Sequence, residues 1–221
     1  MQPLTTLLIY YFFFGYILKM QTSNVPYLVF TFSGITLWSF FTYIVYQAST
    51  VLIEKQDILR KLSFPRLALL LSKVIVAGVE LMISIAILFV LLFIYGTPIS
   101  KCVFLLPLAI ILCCIVSLSF SVWMSVMSVQ FRDIIHTIPY LINLGIWLTP
   151  VFYPITFLPE SLSFLHYINP IAGVVEFFRF CILADYPLNL YQLMGGMVCI
   201  PIFAAGVYYF KNSERNMLNY L

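Results

Sequence analysis

The sequence predicts an all-α integral membrane protein with six transmembrane helices. Of its 221 residues, 63% are hydrophobic and only 9% are charged, whereas a soluble domain carries about a quarter charged residues. A chain this apolar cannot remain solvated and unfolded in water either. One spanning helix takes about 20 apolar residues, so the length accommodates about six spans with short connections.

Six apolar runs, separated by polar or proline-rich connections, define the predicted spans. In chain order they are Leu4–Leu18, Pro26–Ala48, Leu67–Tyr95, Cys102–Val129, Ile134–Tyr153 and Leu190–Phe210. The first run is short for a span. Only Gln130–Asp133 separates the fourth run from the fifth, so we expect these two spans to form an antiparallel hairpin. No repeat or linker divides the chain, and we expect one transmembrane domain over residues 1–221.

Basic residues predict the orientation of these spans. The connections on one predicted side hold seven of them: Lys55, Arg60, Lys61, Arg66, Arg132, Lys211 and Arg215. The other side holds three: Lys19, Lys101 and Arg179. Because short cytoplasmic loops carry the excess of Lys and Arg, we expect the first side, and with it both termini, to be cytoplasmic.

The most polar stretch, Ser49–Arg66, connects the second and third spans. Its apolar residues fall near one face at helical spacing, and Glu54, Lys55, Asp57, Arg60 and Lys61 occupy the rest. Phe64-Pro65 ends the helix, because the residue before proline avoids the α region. We therefore predict a short cytoplasmic amphipathic helix. It fits a surface helix on the headgroups or a docking element, and docking is favoured because the chain has no energy source of its own.

The segment between the fifth and sixth spans, Pro154–Asn189, is broken by prolines and predicts short extracytoplasmic helices that are interfacial or re-entrant. Asn169 is placed to cap a helix that begins at Pro170, in which Glu176 and Arg179 meet at i,i+3. The pair fits an interfacial salt bridge, the favoured interpretation, or recognition of a polar cargo. Nearby aromatic residues fit stacking on sugar rings or interfacial anchoring: Trp147, Phe152, Tyr153 and Phe157.

Residues suited to catalysis or ion coupling are scarce. His136 and His166 lie on opposite predicted sides, so no metal site or triad contains both, and no glycine-rich phosphate loop occurs. We predict no catalytic residue, no metal site and no nucleic-acid partner. Lys73 and Glu80 are the only charges inside the apolar runs. Lys73 can snorkel to the interface, which leaves Glu80 as a lone deep carboxylate, favoured as structural or pore-lining over a proton relay.

Short motifs in a fixed order resemble the permease subunits of polysaccharide-exporting type 2 ABC transporters. They are Leu59 to Arg66, Phe131-Arg132-Asp133-Ile134, Trp147 to Pro154, Asn169-Pro170 and Phe178-Arg179. The resemblance covers nearly the whole chain, and it is more specific to the superfamily than to the polymer exported. It implies a six-span, multi-pass permease of the bacterial inner (plasma) membrane. The permease is expected to form a homodimer with two copies of a separate nucleotide-binding ATPase subunit, which binds the ATP, so that this chain needs no cofactor.

The same resemblance implies roles for individual residues. The coupling segment that contacts the ATPase would include Glu54, Lys55, Asp57, Arg60, Lys61, Phe64, Pro65 and Arg66. The translocation pathway or its exit would include Glu80, Trp147, Phe152, Tyr153, Glu176 and Arg179. The implied cargo is a lipid-linked glycan of the O-antigen, teichoic acid or capsule type. The alternatives are a type 2 ABC exporter of another amphiphile, such as a lipid or a drug, then an ion-coupled secondary transporter, and last a membrane enzyme.

The chain departs from that family at its beginning. Relatives carry a basic amphipathic stretch before the Gln-Pro that opens the first span, whereas here Gln2-Pro3 follows Met1 directly. Either the true start lies upstream or the N-terminal amphipathic helix is missing, and its absence would change how the cytoplasmic entrance is gated.

Overall fold

The computed structural model describes residues 12, 25–61, 65–131, 133–155, 164, 168–184, 186–188, 191 and 193–217. Several predicted features lie outside these residues: the first span Leu4–Leu18, Phe64, Arg132, Phe157 and His166. The side chains of Arg60 and Lys61 lie outside them as well.

Within the described ranges the chain forms seven α-helices and one 3-10 helix. The α-helices are α1 (Tyr27–Glu54), α2 (Gln56–Lys61), α3 (Arg66–Ile94), α4 (Leu106–Gln130), α5 (Ile134–Leu148), α6 (Pro170–Ile182) and α7 (Leu193–Met217). The 3-10 helix, Lys101–Leu105, leads directly into α4. Among the described residues, Ile99 and Leu183 form an isolated antiparallel β-bridge.

Four of these stretches are long and apolar enough to cross a membrane: Tyr27–Glu54, Arg66–Ile94, Lys101–Gln130 and Leu193–Ser213. The prediction of an all-α, multi-pass membrane protein is confirmed. Helix α5, which corresponds to the fifth predicted span, has only 15 residues and is shorter than a typical span.

Helix α1 is the central helix of the bundle and packs against α3, α4 and α6. Its side chains Val29, Leu37 and Ile44 are fully buried. The Ser121 hydroxyl of α4 donates a hydrogen bond to the Ile44 carbonyl oxygen of α1 (3.3 Å). The small serine side chain lets the two helix backbones approach closely at this point.

The long helices alternate in direction, which gives the bundle two distinct ends. We call them the Tyr27 end and the Glu54 end, after the first and last residues of α1. Helix α2, the end of α4, the start of α5 and the end of α7 share the Glu54 end, where Phe210 packs with Val51 and Val129 in one cluster. The structure therefore places these segments on one side of the bundle, as the sequence predicted.

Two predicted helix boundaries are wrong. The second predicted span stopped at Ala48, but α1 continues to Glu54 and buries Val51 and Leu52 on the way. The amphipathic helix that follows is consequently shorter than predicted and is confined to α2, after a break at Lys55.

The fifth predicted span ran to Tyr153, but α5 ends at Leu148. Thr149 is extended (φ −108°, ψ 135°), as expected for a residue that precedes a proline. Residues 149–153 form a turn whose Val151 and Phe152 side chains are buried, at 0% and 1% exposure.

Candidate functional site

Helix α6 begins where the sequence predicted, at Asn169-Pro170. The Asn169 side-chain oxygen accepts a hydrogen bond from the Ile171 N–H (3.2 Å), which is the N-cap geometry. The Asn169 amide also donates to the Leu148 carbonyl oxygen (3.1 Å) and the Thr149 hydroxyl (3.0 Å). The cap therefore fixes α6 against the end of α5, at the Tyr27 end of the bundle.

Arg179 of α6 joins three separate parts of the chain. Its Nη1 donates to Glu176 Oε1 (2.8 Å) and to the Pro150 carbonyl oxygen. Its Nη2 donates to the carbonyl oxygens of Val151 (2.8 Å) and Phe30 (3.3 Å), and Nε donates to the Ser33 hydroxyl (3.4 Å). A guanidinium has five N–H donors, and these five hydrogen bonds give each donor a protein acceptor. We call Arg179 and these partners the Arg179 cluster.

The negative partner in this cluster, Glu176, has hydrogen bonds to both of its carboxylate oxygens. Tyr186 donates its hydroxyl proton to Glu176 Oε2 (2.6 Å). Burial, together with the negative charge of Glu176, raises the pKa of the Tyr186 hydroxyl above its ordinary value of 10.0. Tyr186 therefore remains a proton donor at neutral pH.

The predicted Glu176–Arg179 pair forms, and it is buried within the protein. The side chains of Arg179 and Glu176 are 0% and 5% exposed, and the Arg179 guanidinium lies 3.6 Å from the centre of the Phe30 ring. Desolvated charges of this kind require paired and hydrogen-bonded partners inside the protein, and the chain supplies all of them. In this conformation Arg179 holds protein segments together and has no N–H group left for a cargo.

Gly34 of α1 leaves the space that the Arg179 cluster occupies. A Cβ atom at this position would lie 2.6 Å from Arg179 Nη2 and 2.8 Å from the Val151 carbonyl oxygen. No sequence pattern pointed to Gly34, because the segments it accommodates are far from it along the chain.

The predicted aromatic residues are brought together at the same end, with different exposures. The Trp147 side chain is 55% exposed, whereas Phe152 is 1% exposed, and their ring centres are 6.4 Å apart. Tyr153 donates its hydroxyl to the Trp147 carbonyl oxygen (2.9 Å), and Tyr27 donates to the Phe152 carbonyl oxygen (2.9 Å). Of Trp147 and Phe152, only Trp147 presents its ring at the protein surface.

A polar face runs along the middle of α1, at the depth where a spanning helix is normally apolar. It consists of Ser39, Thr42, Tyr43, Tyr46 and Gln47, each of them partly exposed. The ammonium group of Lys73 on α3 donates to Gln47 Oε1 (3.4 Å), and the exposed Glu80 lies close enough to Tyr43 to interact with it electrostatically. Lys73 and Glu80, the two charges that lie inside the apolar runs of the sequence, are therefore both beside this polar face.

The Glu54 end carries the residues predicted to contact a partner. Glu54, Lys55 and Asp57 are exposed, and α2 is anchored through the buried Leu59. Pro65 is exposed, whereas Arg66 is only 6% exposed. Among the described side chains of this segment, those of Glu54, Lys55, Asp57 and Pro65 are exposed, and the Arg66 side chain is not part of that surface.

Comparison with known proteins agrees with this architecture. The family profile for ABC-2 type transporters matches residues 1–183. This chain belongs to the ABC-2 type transporter family. Two similar proteins are both named O-antigen export system permease protein RfbA. The one from Klebsiella pneumoniae is 31% identical over 178 residues, which are 80% of this chain and 68% of that protein. The one from Myxococcus xanthus is 24% identical over 181 residues, 81% and 69% of the two chains.

As a member of the ABC-2 type transporter family, the protein is a membrane subunit of a transporter. Among the described residues, no cluster of three or more His, Cys, Asp or Glu side chains is suited to hold a metal ion. Gln47 was missed by the sequence analysis, although a signal existed. It is the only amide side chain of the Pro26–Ala48 run and lies four residues after Tyr43, a spacing that places both side chains on one helix face.

Proposed function

We propose that this ABC-2 permease is the membrane subunit of an ATP-driven exporter that moves a lipid-linked polysaccharide out of the cytoplasm. The observation that carries the proposal is the similarity to O-antigen export permeases over about four fifths of the chain. O-antigen is therefore the first candidate cargo, and teichoic acid and capsule polymers are cargoes of the same chemical class.

The proposed assembly is a homodimer of single-domain, six-span permeases in the bacterial inner membrane. Leu4–Leu18 and α5 serve as the first and fifth spans, and both termini are cytoplasmic. The seven-to-three distribution of basic residues supports this orientation. Two copies of a separate ATPase subunit bind the Glu54 end. These subunits bind and hydrolyse the ATP, because this chain contains no phosphate-binding loop motif.

The coupling surface is proposed to be the exposed part of the 54–66 segment. Leu59 anchors α2 in the cluster that also contains Val51 and Leu52 of α1 and Leu70 of α3. Closure of the ATPase subunits pushes on Lys55 and Asp57, and Leu59 transmits that push to both long helices. Arg60, Lys61, Phe64 and Arg66 complete the predicted segment.

The polar face of α1 is proposed as one wall of the translocation pathway. A glycan has many hydroxyl groups, which lose hydrogen bonds with water if they enter hydrocarbon. Partly exposed hydroxyl and amide side chains on α1, with Lys73 and Glu80 beside them, offer replacement hydrogen bonds at membrane depth. Polar groups at this depth normally face a bundle interior or a water-filled cavity, which supports a pathway along this face. At the exit, Trp147 is available to stack on sugars, while Phe152, Tyr153, Glu176 and Arg179 shape the surrounding structure.

Deletion of the gene in its own bacterium tests the proposal. We expect surface polysaccharide to be lost and lipid-linked glycan to accumulate inside the cell, with both restored by the wild-type gene on a plasmid. Polysaccharide is measured on gels of surface extracts, and the lipid-linked precursor is measured by mass spectrometry of membrane lipids. Normal surface polysaccharide without internal accumulation would contradict the proposal.

The second candidate function is export of another amphiphile by the same ABC-2 architecture. An apolar cleft beside α5 favours it over an ion-coupled transporter, since it fits hydrocarbon and adds no titratable group. A deletion strain with normal polysaccharide but an altered lipid content, or increased drug sensitivity, would favour this candidate.

A further inference from the structure

A cleft of about 440 Å³ separates α5 from the rest of the bundle. Its floor is formed by Trp38, Phe41 and Val45 of α1, all less than 9% exposed. Leu141 and Leu148 of α5 lie at its edge and are 52% and 51% exposed. Helix α5 buries only one side chain, Ile138. The helix therefore does not pack tightly enough against the bundle to close the cleft.

The cleft is suited to hydrocarbon. Its lining is almost wholly apolar, with Thr149 and Asn169 at the Tyr27 end, where both have hydrogen-bond partners within the protein. The volume lies within the range of about 300–1,000 Å³ that is usual for ligand sites. Water gains no hydrogen bonds from such a lining, whereas a lipid chain fills it favourably.

The same helix presents the cleft floor and the polar face side by side. Ser39, Thr42 and Tyr46 each follow a cleft-floor residue by one position. One residue turns an α-helix by 100°, so the polar strip lies next to the apolar strip along the middle of α1. An amphiphile with its tail in the cleft would therefore have its polar part against hydroxyl groups at membrane depth.

We propose that the cleft holds the hydrocarbon tail of the lipid-linked cargo while its glycan lies on the polar face of α1. The proposal rests on the proposed function. A bulk phospholipid keeps its headgroup at the membrane surface and has no use for a polar face at mid-depth. The adjacency of the two strips therefore selects a cargo whose polar part crosses the membrane.

Photo-crosslinking on the intact permease–ATPase complex in lipid nanodiscs tests this inference. The probe is a polyprenyl diphosphate with a diazirine on its tail, and the labelled residues are found by mass spectrometry. We expect labels on the cleft residues of α4 and α5, and competition by unlabelled polyprenyl diphosphate but not by phosphatidylethanolamine.

A matched pair of variants on α5 separates the cleft from the outer surface of the same helix. Leu141→Trp narrows the cleft, whereas Leu144→Trp adds the same side chain at a 64% exposed position that does not line it. We expect Leu141→Trp to reduce labelling about tenfold, as for loss of one well-packed apolar contact, and Leu144→Trp to leave it unchanged. Size-exclusion chromatography of both complexes checks that they remain folded.

Three results would overturn the inference. They are labelling that phosphatidylethanolamine competes away, labelling reduced equally by both variants, and no label on the cleft residues of α4 and α5. Polysaccharide export in the deletion strain is scored separately. If export depends on the permease but the label lies elsewhere, the tail site fails alone, whereas normal export without the permease removes the proposed function itself.

Discussion

The two ends of the bundle satisfy their charges in opposite ways. At the Tyr27 end, Arg179 and Glu176 are buried and fully hydrogen-bonded. At the Glu54 end, Lys55 and Asp57 are exposed to solvent. A buried pair is costly to break, whereas exposed charges contribute little to stability and remain available to a partner. The buried pair therefore stabilises the Tyr27 end, whereas the exposed charges leave the Glu54 end accessible to the proposed ATPase subunit.

Removal of Arg179 should have the largest effect. Arg179→Leu leaves Glu176 as an uncompensated buried carboxylate, and losing one partner of a buried pair costs about 3–5 kcal/mol. We expect a strongly lowered melting temperature of the detergent-solubilised permease. Lys101→Leu, an exposed cation at the same end, is the control and should melt as the wild type does. Equal melting of the two variants would remove the stabilising role of the Arg179 cluster.

Gly34→Ala should have the second largest effect. The added methyl group would meet Arg179 Nη2 and a backbone oxygen at less than 3 Å, and overpacking of this kind costs about 1–3 kcal/mol. Gly78→Ala on α3 is the matched control, because a Cβ there meets nothing within 4 Å. The control should be neutral or stabilised by about 1 kcal/mol, the helix-propensity gain of alanine over glycine. Similar melting temperatures would show that the space at Gly34 is not needed.

Charge reversal at the Glu54 end should leave stability unchanged and weaken assembly. For Lys55→Glu combined with Asp57→Lys, we expect about tenfold weaker association with the ATPase subunit, or about 1.4 kcal/mol. Association is measured by copurification and by a binding titration. Lys101→Glu, at the opposite end, should bind as the wild type does. Unchanged association for the double variant would exclude Lys55 and Asp57 from the docking surface.

Local patterns in the sequence predicted part of this arrangement. The start of α6 and the Glu176–Arg179 pairing depend on neighbours one to three residues apart, and both predictions are confirmed. The burial of the pair depends on Phe30 and Ser33, which lie 149 and 146 positions from Arg179. A single sequence carries no signal for contacts at that separation, so it does not predict that the pair is buried within the protein.

Polarity misled the prediction of the α1 boundary for a different reason. Ser49 and Thr50 were read as the end of a span, but their hydroxyls bond carbonyl oxygens of the preceding turn, those of Val45 and Tyr46. Serine and threonine hydroxyls can donate to backbone carbonyl oxygens inside a helix, so they need no hydrogen bond from water. At the end of α5 the sequence does contain a helix-ending signal, because Thr149 precedes a proline. The apolar residues that follow it led the predicted span to extend too far.

Tyr186→Phe should have a smaller effect than Arg179→Leu, and one that depends on pH. The variant loses the hydrogen bond to Glu176, a loss of about 1–3 kcal/mol when the acceptor is charged. The raised pKa of Tyr186 in the folded state means that folding favours the protonated hydroxyl. Its stabilising effect is therefore complete below pH 10 and is lost as the pH rises from there through the folded-state pKa. Melting temperatures measured from pH 8 to pH 11 should fall less steeply above pH 10 in the variant than in the wild type. Parallel curves would mean that the Tyr186 proton is not held by Glu176.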